Sequence, residues 1–300
     1  MENIKIYSSF DNEILHCSIY VPQNPIAIIQ IVHGMMEHQK RYEEFAKFLC
    51  DNNFIVITSD IRGHGPNCEL KNLGFMGDKK QDEALVIDQI SITEYMKNRF
   101  PNTDIYLFGH SMGTIIARNI IQKHESNYKK IILSGAPAPQ GIAGMGVFLA
   151  NVIGLLKGNY HKSKLLQSMT IGPFTKSVKN YKTKNDWLSY NDENVINYNN
   201  DQFCGFPFTV SGYKGLLKSL ANLGKYKKYN CINNELPILF VSGKDDPCTL
   251  GEKGLKKSIK TLNKAKYTNI KSIVYDNMRH EILQEKDKYL VYQTILQFLK

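Results

Sequence analysis

Short apolar segments rich in β-branched residues recur along this chain of 300 residues, and longer stretches with helical periodicity separate them. The apolar segments have the length of strands and cover residues 27–32, 54–59, 105–108, 130–134, 238–242 and 270–275. The helical stretches cover residues 41–50, 81–98, 112–124, 251–262 and 286–299. This alternation predicts an α/β fold in which a mostly parallel sheet carries helices on both faces.

Two more strand-like segments precede the first of these, at residues 4–7 and 14–20. The pair Asp11-Asn12 between them is typical of a hairpin turn. We therefore expect an antiparallel edge on the parallel sheet.

One strand-to-helix junction has the sequence Gly109-His110-Ser111-Met112-Gly113. The pattern G-x-S-x-G between a strand and a helix is typical of a nucleophile elbow, in which a strained turn exposes the serine hydroxyl above the sheet. The glycines leave room for the neighbouring strand and helix, and the helix N-terminus favours developing negative charge. We interpret Ser111 as a nucleophile, because a chance match is much rarer in this context than in the sequence at large.

A serine hydroxyl needs a histidine base and an acid that orients the base. In folds with this elbow, the acid and then the histidine follow the serine along the chain. Only His280 of the three downstream histidines follows the last strand, which favours it over a surface loop histidine. Two aspartates follow the preceding strand, and we choose Asp246, with Asp245 as a turn former or helix cap. Asp276 is a third candidate.

The oxyanion of an acyl-transfer reaction needs two backbone N–H donors, one from the residue after the nucleophile and one from the loop after an early strand. These donors are predicted to be Met112 and Met35. The same early loop contains His33, Glu37 and His38, which resemble zinc ligands by type. Their spacing is not that of H-E-x-x-H. We interpret them as residues that shape the loop, and we predict no metal site.

These motifs resemble those of the monoacylglycerol lipase and lysophospholipase branch of the α/β-hydrolases, often called serine aminopeptidase-like. The segments that carry the resemblance are His33-Gly34-Met35-Met36-Glu37-His38 with Arg41-Tyr42, Asp60-Ile61-Arg62-Gly63-His64-Gly65, the elbow, Gly243-Lys244-Asp245-Asp246-Pro247 and His280-Glu281. The resemblance implies the α/β-hydrolase fold, a triad of Ser111, Asp246 and His280, and oxyanion donors at Met35 and Met112.

The strand and helix alternation stops near residue 137 and returns near residue 234. We expect a core formed by residues 1–136 and 235–300, with residues 137–234 inserted as a lid sub-domain, which the resemblance also implies. An apolar stripe at helical spacing in this insertion includes Val152 and Leu155, which we predict to bind substrate. Packing of the stripe on the core beneath it is the equally weighted alternative.

The formal charge of +10 raises the question of an anionic partner. The lysines are scattered and are not interleaved with aromatic residues, which argues against nucleic acid binding.

Six cysteines without a CxxC pair favour reduced thiols in the cytoplasm. The N-terminus lacks the pattern of a signal peptide, and prolines shorten the uncharged stretch of residues 131–156 below the length of a membrane span. Transient contact with a membrane surface remains compatible with this charge.

The resemblance and the motifs together predict a serine hydrolase that cleaves carboxylic esters of lipid-like small molecules, either monoacylglycerol or lysophospholipid. This chemistry requires no metal and no organic cofactor. One alternative is a peptidase that releases N-terminal residues, for which the insertion offers acidic side chains at Asp186, Asp192, Glu193 and Asp201. The other alternative is a catalytically silent binding protein with the same fold.

Overall fold

The computed structural model describes residues 1–300, except for the side chain of Asn67. Eight strands form one sheet: β1 (Glu2–Tyr7), β2 (Ile14–Tyr20), β3 (Ala27–Val32), β4 (Phe54–Ser59), β5 (Ile105–His110), β6 (Lys130–Ser134), β7 (Ile238–Gly243) and β8 (Ile270–Tyr275). Their order across the sheet is β1-β2-β4-β3-β5-β6-β7-β8. Among these strands, β2 alone runs against the others, since it pairs antiparallel with both β1 and β4.

Ten α-helices accompany the sheet: α1 (Glu43–Asp51), α2 (Gln81–Arg99), α3 (Met112–Ile120), α4 (Ala143–Lys157), α5 (Lys164–Thr170), α6 (Gly172–Ser177), α7 (Asp192–Asn200), α8 (Val210–Leu223), α9 (Gly251–Lys264) and α10 (Lys288–Leu299). Between β6 and β7 the chain forms helices α4–α8 and adds no strand to the sheet, over the described residues. We call residues 137–234 the helical insertion.

The central strands are apolar on both sides because both faces of the sheet are covered. Successive side chains of a strand point to opposite faces, so each strand supplies two cores. In β5, Leu107 packs with helices α2, α3 and α8, whereas Phe108 packs with α1 and α10. Every residue of β3, β4 and β7 is buried, but the edge strand β8 leaves most of its side chains exposed.

The predicted α/β fold is confirmed, including the antiparallel edge formed by β1 and β2. The helix bounds differ more than the strand bounds. Helix α3 ends at Ile120, four residues before the predicted end, and a turn and a short 3-10 helix follow it. Helix α4 begins at Ala143, before the apolar stripe by which we recognised it. Helices α5, α6 and α7 were not predicted, because they are only six to nine residues long and lack a continuous apolar stripe.

Among the residues that the structure describes, no helix combines the length and the apolar character that crossing a membrane requires. Helix α4 is the most apolar stretch of the insertion, yet it has 15 residues where a span needs about 20.

Replacing Leu107 with alanine is expected to lower the free energy of unfolding by about 2–5 kcal/mol. The side chain is fully buried in the central strand β5, so its loss leaves a cavity. Urea denaturation measures the change. The matched control is Leu290→Ala on α10, where the side chain is 62% exposed and the change should stay within about 0.5 kcal/mol. Equal losses in both variants would contradict the central position of β5.

Candidate active site

Ser111 lies in a sharp turn between β5 and α3. Its backbone has φ of 51° and ψ of −116°, a conformation that is strained for any residue with a side chain. A Cβ atom on Gly109 would lie 2.6 Å from the carbonyl oxygen of Gly113, and one on Gly113 would collide with the carbonyl oxygen of Val32. Both glycines are therefore required by crowding of the backbone, as the pattern G-x-S-x-G predicts.

Asp246 and His280 form a buried pair. His280 Nδ1 lies 2.9 Å from Asp246 Oδ2, and each side chain is at most 2% exposed. The other carboxylate oxygen, Oδ1, accepts a hydrogen bond of 2.8 Å from the backbone N–H of Cys248. Both oxygens of Asp246 are thus engaged, and the imidazole is held in one orientation with Nε2 directed away from the carboxylate.

The two competing aspartates lie outside this pair. Asp245 is exposed and accepts a hydrogen bond of 3.0 Å from the hydroxyl of Tyr190. Asp276 is also exposed and forms an ion pair of 2.6 Å with Lys244. Of the three aspartates considered from the sequence, Asp246 is the one in contact with His280.

The carboxylate of Asp246 makes the imidazole of His280 a stronger base. Burial by itself lowers the pKa of this imidazole, but the carboxylate of Asp246 offsets burial and holds the pKa well above its ordinary value. His110, whose ring centroid lies 4.7 Å away, behaves oppositely, because burial keeps its pKa well below the usual range. His280 is therefore the group of this pair that can take up a proton.

The loop after β3 is fixed by its own side chains. The backbone N–H of Gly34 donates to Glu37 Oε1 at 2.5 Å, and that of Met36 donates to His64 Nε2 at 3.3 Å. Between them, the N–H of Met35 donates to no acceptor in the described part of the chain. Met35 and Met112 both line the same cavity as Ser111, so the two amides predicted as oxyanion donors belong to one site.

The histidines of this loop bind separate partners. His33 Nε2 accepts a hydrogen bond of 2.9 Å from the backbone N–H of Ile61, and His38 Nε2 lies 2.8 Å from Asp201 Oδ2. Glu37 accepts hydrogen bonds from Gly34 and from the hydroxyl of Tyr42. The three side chains do not converge on one point.

A buried guanidinium connects the loop after β3 to the loop of His280. Arg41 Nη1 lies 2.8 Å from Glu37 Oε2, and both of its terminal nitrogens contact Glu281, at 2.5 and 2.7 Å. Arg41 Nη2 also donates to Asn194 Oδ1 of helix α7 at 2.9 Å. This bidentate arrangement ties three separate parts of the chain together.

A cavity of about 300 Å³ opens above Ser111 and His280. Most of its wall is apolar and comes from the helical insertion: Ile142, Ala143, Met145, Gly146, Leu166, Met169, Ile171, Phe174, Trp187, Leu188, Leu216, Leu217 and Leu220. A volume of this size is at the lower end of the range of about 300–1,000 Å³ that is typical of small-molecule sites.

Val152 and Leu155, which we predicted to bind substrate, are not among the residues that line this cavity. Of the described residues of α4, the cavity is lined by Ala143, Met145 and Gly146 in its first turn. An α-helix turns about 100° per residue, so Leu155, nine residues after Gly146, lies on the opposite face. Accordingly, the side chain of Leu155 is 88% exposed.

Two cavity residues near His280 were missed by the sequence analysis. Trp187, the only tryptophan of the chain, has its ring centroid 5.1 Å from that of His280. Cys248 is buried beside the same imidazole, and burial raises the pKa of its thiol to about 11. The position of Cys248 two residues after Asp246 was the available signal for it. For Trp187, the available signal was that the only tryptophan of the chain lies in the insertion that was predicted to form a lid.

The parallel sheet, the strained serine turn and the Asp246–His280 pair at the carboxyl ends of the strands define an α/β-hydrolase. The family model described as "Serine aminopeptidase, S33" matches residues 23–287. The chain therefore belongs to this family, within the monoacylglycerol lipase and lysophospholipase branch of the α/β-hydrolases.

The individual relatives have low sequence identity to this chain. Human monoglyceride lipase is 27% identical over 195 residues, which cover 64% of this chain and 57% of the human protein. Mouse monoglyceride lipase is 26% identical over 241 residues, which cover 79% of this chain and 71% of the mouse protein. A thermostable carboxyl esterase from Bacillus coagulans, solved with glycerol, superposes with a TM-score of 0.88 at 25% identity, covering 99% of this chain and 97% of the esterase.

Replacing Asp246 with asparagine is expected to lower the pKa of His280 below about 6.5, because the effect of burial is then no longer offset by a carboxylate. An NMR titration of the histidine ring resonances measures this pKa. In the matched control, Asp245→Asn, the pKa of His280 should stay where it is in the unmodified protein. If the pKa of His280 fell in Asp245→Asn and did not fall in Asp246→Asn, the carboxylate that orients His280 would be that of Asp245.

Proposed function

We propose that this protein is a serine hydrolase that cleaves the carboxylic ester of a lipid-like monoester, either a monoacylglycerol or a lysophospholipid. The observation that carries the proposal is one apolar cavity that is lined both by the strained turn of Ser111 and by His280, whose imidazole contacts the buried Asp246. Family membership supports the same chemistry, and the names of the human and mouse relatives support the substrate class.

In the proposed reaction, His280 takes the hydroxyl proton of Ser111 as the serine oxygen attacks the ester carbonyl carbon. The backbone N–H groups of Met35 and Met112 hold the oxyanion of the tetrahedral intermediate. His280 then gives its proton to the departing alcohol, which leaves an acyl group on Ser111. A water molecule, deprotonated by His280, releases the acyl group as a carboxylic acid and restores the serine.

The helical insertion is proposed to act as a lid over a core formed by residues 1–136 and 235–300. It supplies most of the apolar wall of the cavity, so an acyl chain would be buried mainly against it. The opposite face of α4 leaves Phe148, Leu155 and Leu156 at least 70% exposed, next to Lys157. An apolar face flanked by a cation favours contact with a membrane surface, from which a lipid substrate can be drawn.

The peptidase alternative is less well supported by the cavity. A peptidase that binds a free N-terminal amine needs a carboxylate available to that amine. Among the described residues, the acidic groups on the cavity wall are Glu37 and Glu281, and both are ion-paired with Arg41. The insertion's four acidic candidates do not line the cavity, and Asp186, for example, accepts hydrogen bonds from the backbone of Lys182 and Thr183.

Replacing Ser111 with alanine is expected to lower ester hydrolysis by more than about 10³-fold and to abolish labelling by a fluorophosphonate. The reason is that the acyl-enzyme and the phosphonylated enzyme both form on this hydroxyl. Hydrolysis of p-nitrophenyl esters and of monoacylglycerols measures the first effect, and gel fluorescence measures the second. Ser272→Ala on the exposed edge strand β8 is the control and should react normally. Labelling retained in Ser111→Ala would refute the proposed nucleophile, and no hydrolysis by the unmodified protein would favour the silent binding protein.

The double replacement Leu155→Ser and Leu156→Ser tests the membrane contact. Because both side chains are exposed and do not line the cavity, we expect hydrolysis of a monoacylglycerol in vesicles to fall roughly tenfold, and that of a short soluble ester to stay unchanged. Leu290→Ser, on the exposed face of α10, is the control for a change of surface polarity elsewhere. Equal rates on vesicles for the double variant and the unmodified protein would contradict the contact.

A further inference from the structure

Three side chains suited to bind a transition metal meet at the base of the helical insertion, outside the residues that line the cavity. They are His38, from the loop after β3, and Asp201 and Cys204, which follow helix α7. Their potential ligand atoms, one nitrogen, one oxygen and one sulfur, all lie within 4.8 Å of one another. We call these three residues the junction cluster.

The turn after α7 holds the two later members of the junction cluster in place. Asp201 Oδ1 accepts a hydrogen bond of 2.8 Å from the backbone N–H of Phe203, and the backbone oxygen of Asp201 accepts one of 3.0 Å from Cys204. The remaining carboxylate oxygen, Oδ2, therefore faces His38 Nε2 at 2.8 Å. Carboxylates that bind metal ions are commonly held by hydrogen bonds of this kind, and Oδ2 of Asp201 would exchange its contact with His38 for the ion.

Charged side chains of both signs surround the junction cluster. The charged groups that act on the thiol of Cys204 are the carboxylates of Asp201, Glu37 and Glu281, together with the guanidinium of Arg41. Arg41 is ion-paired with Glu37 and Glu281, so Asp201 is the carboxylate of this set that contacts a member of the junction cluster. Asp60 also interacts electrostatically with His38.

We propose that His38, Asp201 and Cys204 bind one Zn²⁺ ion, with a water molecule as the fourth ligand. In a tetrahedral zinc site with these donors, ligand atoms lie about 3.3–3.6 Å apart. The nitrogen and oxygen of His38 and Asp201 must therefore separate by about 0.5 Å, and the widest pair of the cluster must close by up to about 1.3 Å. Side-chain rotations provide such shifts without a change of fold.

Binding of Zn²⁺ releases one proton from the junction cluster. The thiol of Cys204 loses its proton to solvent when the sulfur coordinates the ion. Nε2 of His38 becomes a ligand, and the ring proton is then carried on Nδ1. The ion gains a thiolate, an imidazole and a carboxylate.

The bound ion would connect the insertion to the loop that carries Met35. This junction already contains two hydrogen bonds to the backbone oxygen of Met36, from the hydroxyl of Tyr198 at 2.9 Å and from the N–H of Gly205 at 3.0 Å. The ion would add coordinate bonds across the same contact. The proposal concerns stability at this junction and does not depend on which ester is cleaved.

Titration of the metal-free protein with Co²⁺, a spectroscopic substitute for Zn²⁺, tests the site. Coordination by a thiolate gives a sulfur-to-cobalt charge-transfer absorption in the near ultraviolet, and we expect it to saturate at one ion per chain and to be displaced by Zn²⁺. Cys204→Ser should lose the absorption. Cys248→Ser is the matched control and should keep the absorption. Cys248 lies outside the junction cluster, in another group of potential metal ligands that it forms with Asp246 and His280.

An absorption that is absent from the unmodified protein, or that is lost in Cys248→Ser and kept in Cys204→Ser, would overturn the proposal. A second measurement keeps the test valid if a variant folds poorly. Zn²⁺ should raise the Tm of the unmodified protein by several degrees, reversibly with EDTA, and Asp201→Asn should weaken Zn²⁺ binding at least about tenfold in calorimetry. Equal binding by Asp201→Asn and the unmodified protein would also overturn it.

Discussion

Backbone crowding at the turn of Ser111 is the constraint on which the remaining geometry depends. Gly113 lies directly against the carbonyl oxygen of Val32, so β3 and β5 must be neighbours with their ends in register. The same turn is held from the other side, where the N–H of Ser111 donates to the carbonyl oxygen of Ser134 at the end of β6. The carboxyl ends of three parallel strands therefore meet at one point. In open α/β sheets this edge is where ligands bind, because the loops that follow the strands converge there.

The loops that converge at this edge are held by buried charges. Arg41 contacts the loop after β3 through Glu37, the loop of His280 through Glu281 and the insertion through Asn194. Removing one member of such a network would leave a buried charge without its partner, which costs far more than an exposed ion pair contributes. The network thus connects the loop after β3 to the loop of His280.

The helical insertion has apolar side chains both on the face that lines the cavity and on the face exposed to solvent. Its inner face supplies the apolar wall of the cavity, and the first turn of α4 contributes to that wall. Its outer face leaves Leu155 and Leu156 exposed to solvent. One helix therefore combines a cavity surface with an unpaired apolar surface, because its residues are apolar on nearly all sides. This explains why the periodicity of α4 could not indicate which residues would face a substrate.

Local sequence patterns were enough to predict the sheet and the serine turn. Strands such as Ala27–Val32 and Phe54–Ser59 are read correctly from local composition, since both of their faces are buried and every residue except Gln30 is apolar or small. Glycine spacing predicted the turn of Ser111, because a Cβ atom at Gly109 or Gly113 would strike the backbone. The sequence favoured Asp246 over Asp245, but the contact of Asp246 with His280 is seen only in the tertiary structure. The tertiary structure alone placed Trp187 against His280 and assembled His38 with Asp201, which is 163 residues away. The physical reason is that local patterns record which residues avoid water or need a special backbone conformation, whereas contacts between distant segments depend on the packing of the whole fold.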